Sequence, residues 1–241
     1  MDIIKKIEDI ARLDVYREAW AGIPEIILAE GKDSQWITKL LVEMAKRKGM
    51  AIATRVNKES VKEIKRKKIK NFRWIHYDKA RMIVVVKKNY KIKKINLKVG
   101  LISAGTTDIY VAEEARRIME LLGCQVITAY DIGIAGVHRL FIPLKKMLKE
   151  KVVCIVVVAG MDGALPTLVK SLVDVPVIGV PTSSGYGYGG QGESALMTML
   201  QSCSPGLLVV NIDNGFGAAC AAVLIAKQIK KMIDSSVRSN D

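Results

Sequence analysis

Three apolar, β-branched runs, Val152–Val158, Val175–Val180 and Leu207–Ile212, constrain this chain more than any other feature. Runs that stay apolar at every position, rather than at alternate ones, are buried on both faces, as in a parallel sheet covered by helices. Each run ends in small or polar residues: Ala159-Gly160-Met161-Asp162, Pro181-Thr182-Ser183-Ser184-Gly185 and Asp213-Asn214-Gly215. In open parallel sheets ligands lie outside the carboxyl ends of the strands. The polar residues therefore collect where a site belongs.

The pattern extends back to Lys98. Strands are predicted at Val99–Ser103 and Gln125–Tyr130, and helices at about 109–122, from 137, at 164–172, 192–202 and 216–233. This is βα repeated five times with short loops, an α/β class with a flavodoxin-like, doubly wound parallel sheet. The tail Ser235–Asp241 is polar and expected to fray.

Upstream, the pattern is different. Residues 2–12 read as an amphipathic helix with Ile3, Ile7 and Ile10 on one face, and 14–25 as an arm leading to a strand at Ile26–Ala29. Asp33 or Ser34 can cap a helix to Lys48, stopped by Gly49, with Trp36, Ile37, Leu40, Leu41 and Met44 inward. A strand at Met50–Thr54, a helix capped by Asn57 to about Lys68, and strands at Trp74–Ile75 and Arg81–Val86 complete a smaller α+β domain. The charged connector Lys87–Lys94 marks the boundary, giving domains 1–92 and 93–241.

Charge is equally uneven. Residues 46–98 carry 20 Lys and Arg against Glu59, Glu63 and Asp78, a balance of +17 within a chain total of +14. The block lacks aromatics spaced for base stacking and shows no RNP, zinc-finger or KH signature, so it reads as a solvated surface rather than a nucleic-acid interface. Cys124, Cys154, Cys203 and Cys220 lie far apart and form no CxxC, and the chain has only two histidines, so neither a disulfide framework nor a structural zinc site is expected. No uninterrupted run of 18 apolar residues predicts a membrane span. The opening MDIIKKIEDIARL carries no signal-peptide core, so the cytoplasm is the expected compartment.

Five loops hold the candidate chemistry. Ser103-Ala104-Gly105-Thr106-Thr107-Asp108 offers glycine, hydroxyls and free helix N–H groups, an anion cradle or an ordinary N-cap. Asp131–Arg139 places His138 and Arg139 at a helix start, suited to proton transfer and to an anion. Asp162 is either a general base or a helix cap. Gly185–Gly192 has five glycines, with Tyr186 and Tyr188 available to cover a ring. Cys203 follows a helix C-terminus, which does not favour a thiolate, so local sequence alone makes it an inert thiol.

Taken together, SAGTTD, DIGIAGVHRL, VVAGMDGALPTLV and VDVPVIGVPTSSGYGYGGQGESALMTMLQSCSPGLLVVNIDNGFGAA closely resemble the LarB family. The segment ARLDVYREAWAGIPEIILAEGK extends the likeness over nearly the whole chain. That family is pyridinium-3,5-biscarboxylic acid mononucleotide synthase of nickel-pincer nucleotide biosynthesis. Its catalytic domain is similar to aminoimidazole ribonucleotide (AIR) carboxylase/mutase, hence PurE-like.

The resemblance implies carboxylation of the pyridinium ring of nicotinic acid adenine dinucleotide by CO2 or bicarbonate. Hydrolysis of the phosphoanhydride then releases AMP. It makes Cys203 the nucleophile, Asp162 the acidic residue (shorter than the family's commoner glutamate) and His138 a neighbour in catalysis. Ser103, Thr106, Thr107, Asp108 and Arg139 would hold the ribose-phosphate, with Ser183, Tyr186, Gly187, Asn211 and Asn214 lining the substrate. It implies a homo-oligomer, an octamer, for which the small-residue run Ala218–Ala222 offers a close-packing face. It leaves room for Mg2+ in hydrolysis, although no metal-ligand cluster is recognisable. Small-molecule substrate, no nucleic acid and no membrane are the expected partners. Two rivals stand beside it: an AIR mutase, which leaves the first domain and Cys203 without a role, and a non-catalytic nucleotide or nucleic-acid binding module.

Overall fold

The computed structural model describes residues 4–7, 11–14, 16–66 and 70–238, and the chain divides into two compact units, Met1–Lys91 and Ile92–Asp241.

The first unit opens on an antiparallel hairpin, β1 (Ile4–Ile7) with β2 (Ala11–Asp14), where periodicity predicts a helix. Isoleucine is β-branched and suits extended backbone, so the three-residue spacing misleads. Ile3 and Ile10 lie outside the described residues. The expected arm contains a short helix, α1 (Arg17–Ala21), closed by Gly22 at φ +73°. Strand β3 (Ile27–Leu28) is followed by α2 (Ser34–Lys48), β4 (Met50–Thr54), α3 (Lys58–Arg66), β5 (Phe72–Tyr77) and β6 (Met82–Lys87). The sheet order is β3-β4-β6-β5. β3 and β4 run parallel, so α2 is the crossover such a pair requires.

Asp33 caps α2 by accepting the Gln35 N–H at 2.6 Å, and Gly49 ends it at φ +85°, where a Cβ would strike the Tyr90 ring. Ile37, Leu41 and Ala45 pack on Ala51, Ala53, Ile83 and Val85, with Trp36 half-buried at the edge. Asn57 accepts the Ser60 N–H at 2.7 Å and so caps α3.

The second unit is one parallel sheet: β7 (Lys98–Ser103), β8 (Gln125–Ala129), β9 (Ile155–Ala159), β10 (Val177–Pro181) and β11 (Leu207–Val209). Its order is β11-β10-β9-β7-β8, so the direction of winding reverses between β7 and β9. The intervening helices are α4 (Ile109–Leu121), α5 (His138–Lys149), α6 (Leu165–Ser171), α7 (Glu193–Leu200) and α8 (Gly215–Arg238). Alternation along the strands sends Ile102, Ile155, Val157 and Val177 into a core with Leu140, Met147, Val169 and Met199 of α5, α6 and α7.

On the other face α4 and α8 pack together. Ala112 and Ala115 of α4, and Ala218, Ala219 and Ala222 of α8, are wholly buried. A Cβ on Gly215 would meet the Val111 carbonyl at 2.5 Å. The Ala218–Ala222 run is thus used inside the chain and is no argument for assembly. The last helix also outruns its expected end at Ile233: Ser235 and Ser236 are helical and donate to the Lys231 and Ile233 carbonyls. Residues 239–241 of the expected frayed tail lie outside the described residues. Among the described residues no helix is long and apolar enough to cross a membrane.

Candidate active site

The carboxyl ends of β7, β9 and β10 meet at one carboxylate. After β7 the chain makes a 3-10 turn, Thr106–Asp108, and Asp108 folds back so that Oδ2 accepts the Gly105 N–H at 2.8 Å. Oδ1 accepts the Thr182 and Ser184 hydroxyls, each at 2.6 Å, and those two hydroxyls are 2.6 Å apart. Asp108 and Thr182 are buried, at 3% and 1% exposure. A negative charge at the start of α4 also suits the helix dipole. Gly160 is required beneath this cluster, since a Cβ there would collide with Ser184 Oγ and lie 2.6 Å from Thr182 Oγ1. Ser103, at the tip of β7, is fully buried, and its hydroxyl has no hydrogen-bond partner among the described residues. Thr106 and Thr107 are exposed.

Beyond β8, Asp131 adopts φ +59° and its carboxylate pairs with Arg139 at 2.9 Å. Arg139 lies over its own turn, where a Cβ on Gly136 would come within 2.6 Å of Nε. His138 opens α5 and is exposed. The loop is anchored by Tyr130, whose hydroxyl donates to the buried Glu113, a carboxylate that also meets Arg116 at 3.2 Å. Burial, then that bond to Glu113, push the Tyr130 phenol up to about 12.

Met161 after β9 and Asp213 after β11 also sit at positive φ, +52° and +55°. Non-glycine residues held there at strand ends are strained, a feature that clusters at functional sites. Asp162 is exposed, and its Oδ1 accepts the Ala164 N–H at 3.2 Å, an arrangement that leads into α6. Asp213 accepts the Ser183 N–H at 2.9 Å and so ties the β10 loop to the β11 loop. Asn211 accepts the Ile212 N–H, and Asn214 accepts the Gly217 N–H at 2.8 Å, capping α8. Tyr186 and Tyr188 stand out in solvent, and a Cβ on Gly187, at φ +83°, would meet nothing within 4 Å.

Residues 98–241 match the family described as AIR carboxylase. The chain belongs to that family. Residues 4–88 match the LarB/PurE-like N-terminal domain. An uncharacterized protein of Methanocaldococcus jannaschii is 48% identical over 233 residues, covering 96% of this chain and 90% of the relative. N5-carboxyaminoimidazole ribonucleotide mutase of Pyrococcus horikoshii is 35% identical over 133 residues, 53% of this chain and 71% of that enzyme. The M. jannaschii mutase is 30% identical over 128 residues, 52% of this chain and 76% of the relative. Membership places the chain among carboxylase/mutase-type enzymes, and it accounts for the parallel sheet and its loaded carboxyl edge.

Within this AIR carboxylase domain Cys203 stands apart from the other candidates. It lies in the exposed connection between α7 and β11, which enters the sheet at the amino end of β11. Asp108, His138 and Asp162 instead follow carboxyl ends. No hydrogen bond joins Cys203, Asp162 and His138 to one another among the described residues. Cys203 is flanked by Ser202 and Ser204, both tied to Thr167 of α6 at 2.9 and 3.2 Å. Cys203 is also the one exposed thiol of the four. Burial pushes the Cys154 thiol up to about 12 and the Cys124 thiol up to about 11, and Cys220 is half-buried on α8. Among the described residues no three His, Cys, Asp or Glu side chains converge as a metal-binding group.

Sequence reasoning places Ser183 in the site but not Thr182 or Ser184, although all three stand in one polar run. The signal lies in the two-residue period of the strand that precedes them. Positions 180, 182 and 184 share a face, so Thr182 and Ser184 turn toward Asp108 while the Ser183 side chain points away. Asp131 and Asp213 likewise read from sequence as loop residues only, without the roles they hold here.

Proposed function

We propose that this protein is a cytoplasmic carboxylase/hydrolase acting on nicotinic acid adenine dinucleotide. The observation that carries the reading is the pairing of a LarB/PurE-like N-terminal domain with an AIR carboxylase domain whose one exposed thiol is Cys203. A pyridinium ring is electron-poor and does not attack CO2. Addition of the Cys203 thiolate to ring carbon 4 forms a C–S bond and turns the ring into an enamine. Carbon 5 then attacks CO2, forming the new C–C bond. Asp162, whose second oxygen has no hydrogen bond among the described residues, takes the proton from carbon 5; it lies just ahead of α6, and Thr167 in the first turn of that helix holds Ser202 and Ser204 on either side of Cys203. The C–S electron pair returns to sulfur, and the ring is aromatic again. Water attacks the phosphoanhydride and AMP leaves. Arg139 and the Gly105–Asp108 turn hold the ribose-phosphate, and the buried Asp108 carboxylate braces that turn rather than touching the ligand.

The test is product mass spectrometry after incubation with the dinucleotide and 13C-bicarbonate. The expected products are the labelled biscarboxylate mononucleotide and AMP in equal amounts. The second reading, AIR carboxylase/mutase, is favoured by the 35% identity to the P. horikoshii mutase. Turnover of N5-carboxyaminoimidazole ribonucleotide with an inert dinucleotide would establish it instead.

We also propose a homo-oligomer, an octamer. Support comes from apolar side chains left exposed on the second unit: Phe141 (54%) and Ile142 (82%) on α5, and Met197 (67%) and Leu200 (64%) on α7. Patches of this kind mark association surfaces. Light scattering should give about eight chain masses for wild type, and Phe141→Glu with Ile142→Glu should lower it without loss of helical signal. A monomer across a wide concentration range would remove the proposal.

A further inference from the structure

Helix α4 and the turn that starts it carry three buried carboxylates, Asp108, Glu113 and Glu114. A buried carboxylate is costly unless partnered, and each of these reaches a different loop. Asp108 holds Thr182 and Ser184 after β10. Glu114 accepts the Phe216 N–H at 3.2 Å, at the start of α8. Glu113 accepts the Tyr130 hydroxyl after β8. We infer that Glu113 and Tyr130 are positioning residues: they hold Asp131, and through it the Arg139 guanidinium, toward the phosphate of a ribonucleotide. The inference rests on the proposed function in giving Arg139 a phosphate to hold, and it applies to either nucleotide named there.

Tyr130 and Ile132 flank Asp131, and both are fixed. Tyr130 is held through its hydroxyl by Glu113, and Ile132 through its N–H by the Ser103 carbonyl at 2.9 Å. Gly133 lies against the loop after β7, where a Cβ would come within 3.2 Å of the Ala104 carbonyl oxygen. Gripped on both sides, Asp131 sits at φ +59°, which a short polar residue tolerates and most others resist. Its carboxylate takes Arg139 Nη1 at 2.9 Å, and Arg139 Nε donates to the Gly136 carbonyl at 3.4 Å. Nη2 has no hydrogen bond among the described residues. The guanidinium is therefore tethered at two nitrogens and offers the third, which suits a phosphate oxygen.

The Asp131–Arg139 pair cannot supply this order by itself. Its side chains are 54% and 41% exposed, and an ion pair so open to water fixes little. The rigidity comes from below. Arg116 meets Glu113 at 3.2 Å and Arg117 meets it at 3.4 Å, both about one turn along α4. A ligand-holding group is best supported by side chains locked in this way on a regular element. Burial, then the bond to Glu113, push the Tyr130 phenol up to about 12, so it stays a donor at ordinary pH.

The test reads phosphate preference, the Kd of a riboside divided by that of its phosphate ester, by calorimetry on the full chain. The probes are nicotinic acid mononucleotide and aminoimidazole ribonucleotide, each against its own riboside. We expect wild type to prefer a phosphate form at least ~10-fold, and Tyr130→Phe to lower that preference at least ~5-fold while the riboside binds as before. Glu113→Leu should lose as much. Glu113→Gln, whose carbonyl can still accept the phenol, should lose less. In an Arg139→Ala background Tyr130→Phe should change nothing further, because both act on one contact. A bond that only stabilises the fold would weaken both forms alike and add its effect to that of Arg139→Ala. Either result, or a wild type without phosphate preference, would overturn the inference. The two readings fail separately. A Tyr130-dependent preference seen with aminoimidazole ribonucleotide alone removes the proposed dinucleotide substrate and keeps the positioning role. Carboxylation of the dinucleotide by a chain whose preference ignores Tyr130→Phe keeps the function and loses the positioning role.

Discussion

Cys203→Ser is expected to form no detectable biscarboxylate while still binding the dinucleotide, a loss of at least ~10³-fold in kcat with little change in Kd. Removing the nucleophile from a covalent mechanism costs that much or more. Serine preserves size, but its alkoxide is scarcely available at neutral pH, so ring carbon 4 finds no partner. Two of the other thiols are inaccessible, and Cys220 is half-buried on α8. Cys154 is completely buried, Cys124 nearly so, and burial keeps both thiols protonated far above neutral pH. A disulfide reagent should accordingly label Cys203 fastest in the native wild type, ahead of the half-buried Cys220, and that fastest phase should be missing in Cys203→Ser. A variant that still carboxylates at a comparable rate would remove the thiol mechanism and leave the mutase chemistry as the better account.

That result would bear on a placement the sequence could not settle. The five βα units were legible because parallel strands write themselves as unbroken β-branched runs, and the order of loops along the chain followed. Strand ends shifted by two or three residues where apolar sequence continues past the last ladder bond, as at Val210–Ile212. There Val210 and Asp213 still bond to Gly179 and Pro181. The opening hairpin was illegible because isoleucine at every third or fourth position satisfies a helix pattern without requiring a helix.

Within the site, loop membership was readable and partnership was not. Asp108 and Thr182 are 74 residues apart, and only the reversal of winding between β7 and β9 explains how their strands come to one edge. Cys203 shows the limit most plainly. Its neighbours Ser202 and Ser204 bind Thr167, a contact across 35 and 37 residues that no local pattern announces.

The second large effect is expected at Asp108. Its carboxylate accepts from Thr182, Ser184 and the Gly105 N–H, and it is buried. Asp108→Ala would leave these donors facing a void. An orphaned buried polar group costs about 1–3 kcal/mol, and the two hydroxyls can partly satisfy each other across 2.6 Å. The net loss should be about 3–5 kcal/mol, lowering the thermal midpoint of the second unit by roughly 10 °C. Asp108→Asn separates stability from chemistry. Its carbonyl oxygen can still accept both hydroxyls, but its NH2 then meets the Gly105 N–H, donor against donor. Rotating the amide moves the conflict to Thr182 and Ser184. Asn should therefore cost less stability than Ala, while releasing the turn that carries Thr106 and Thr107. The expected signature is a KM for the dinucleotide raised at least ~10-fold, with the fold retained by circular dichroism. An Asn variant that melts and turns over like wild type would show that Asp108 is only a helix-start residue and that the ribose-phosphate is held elsewhere.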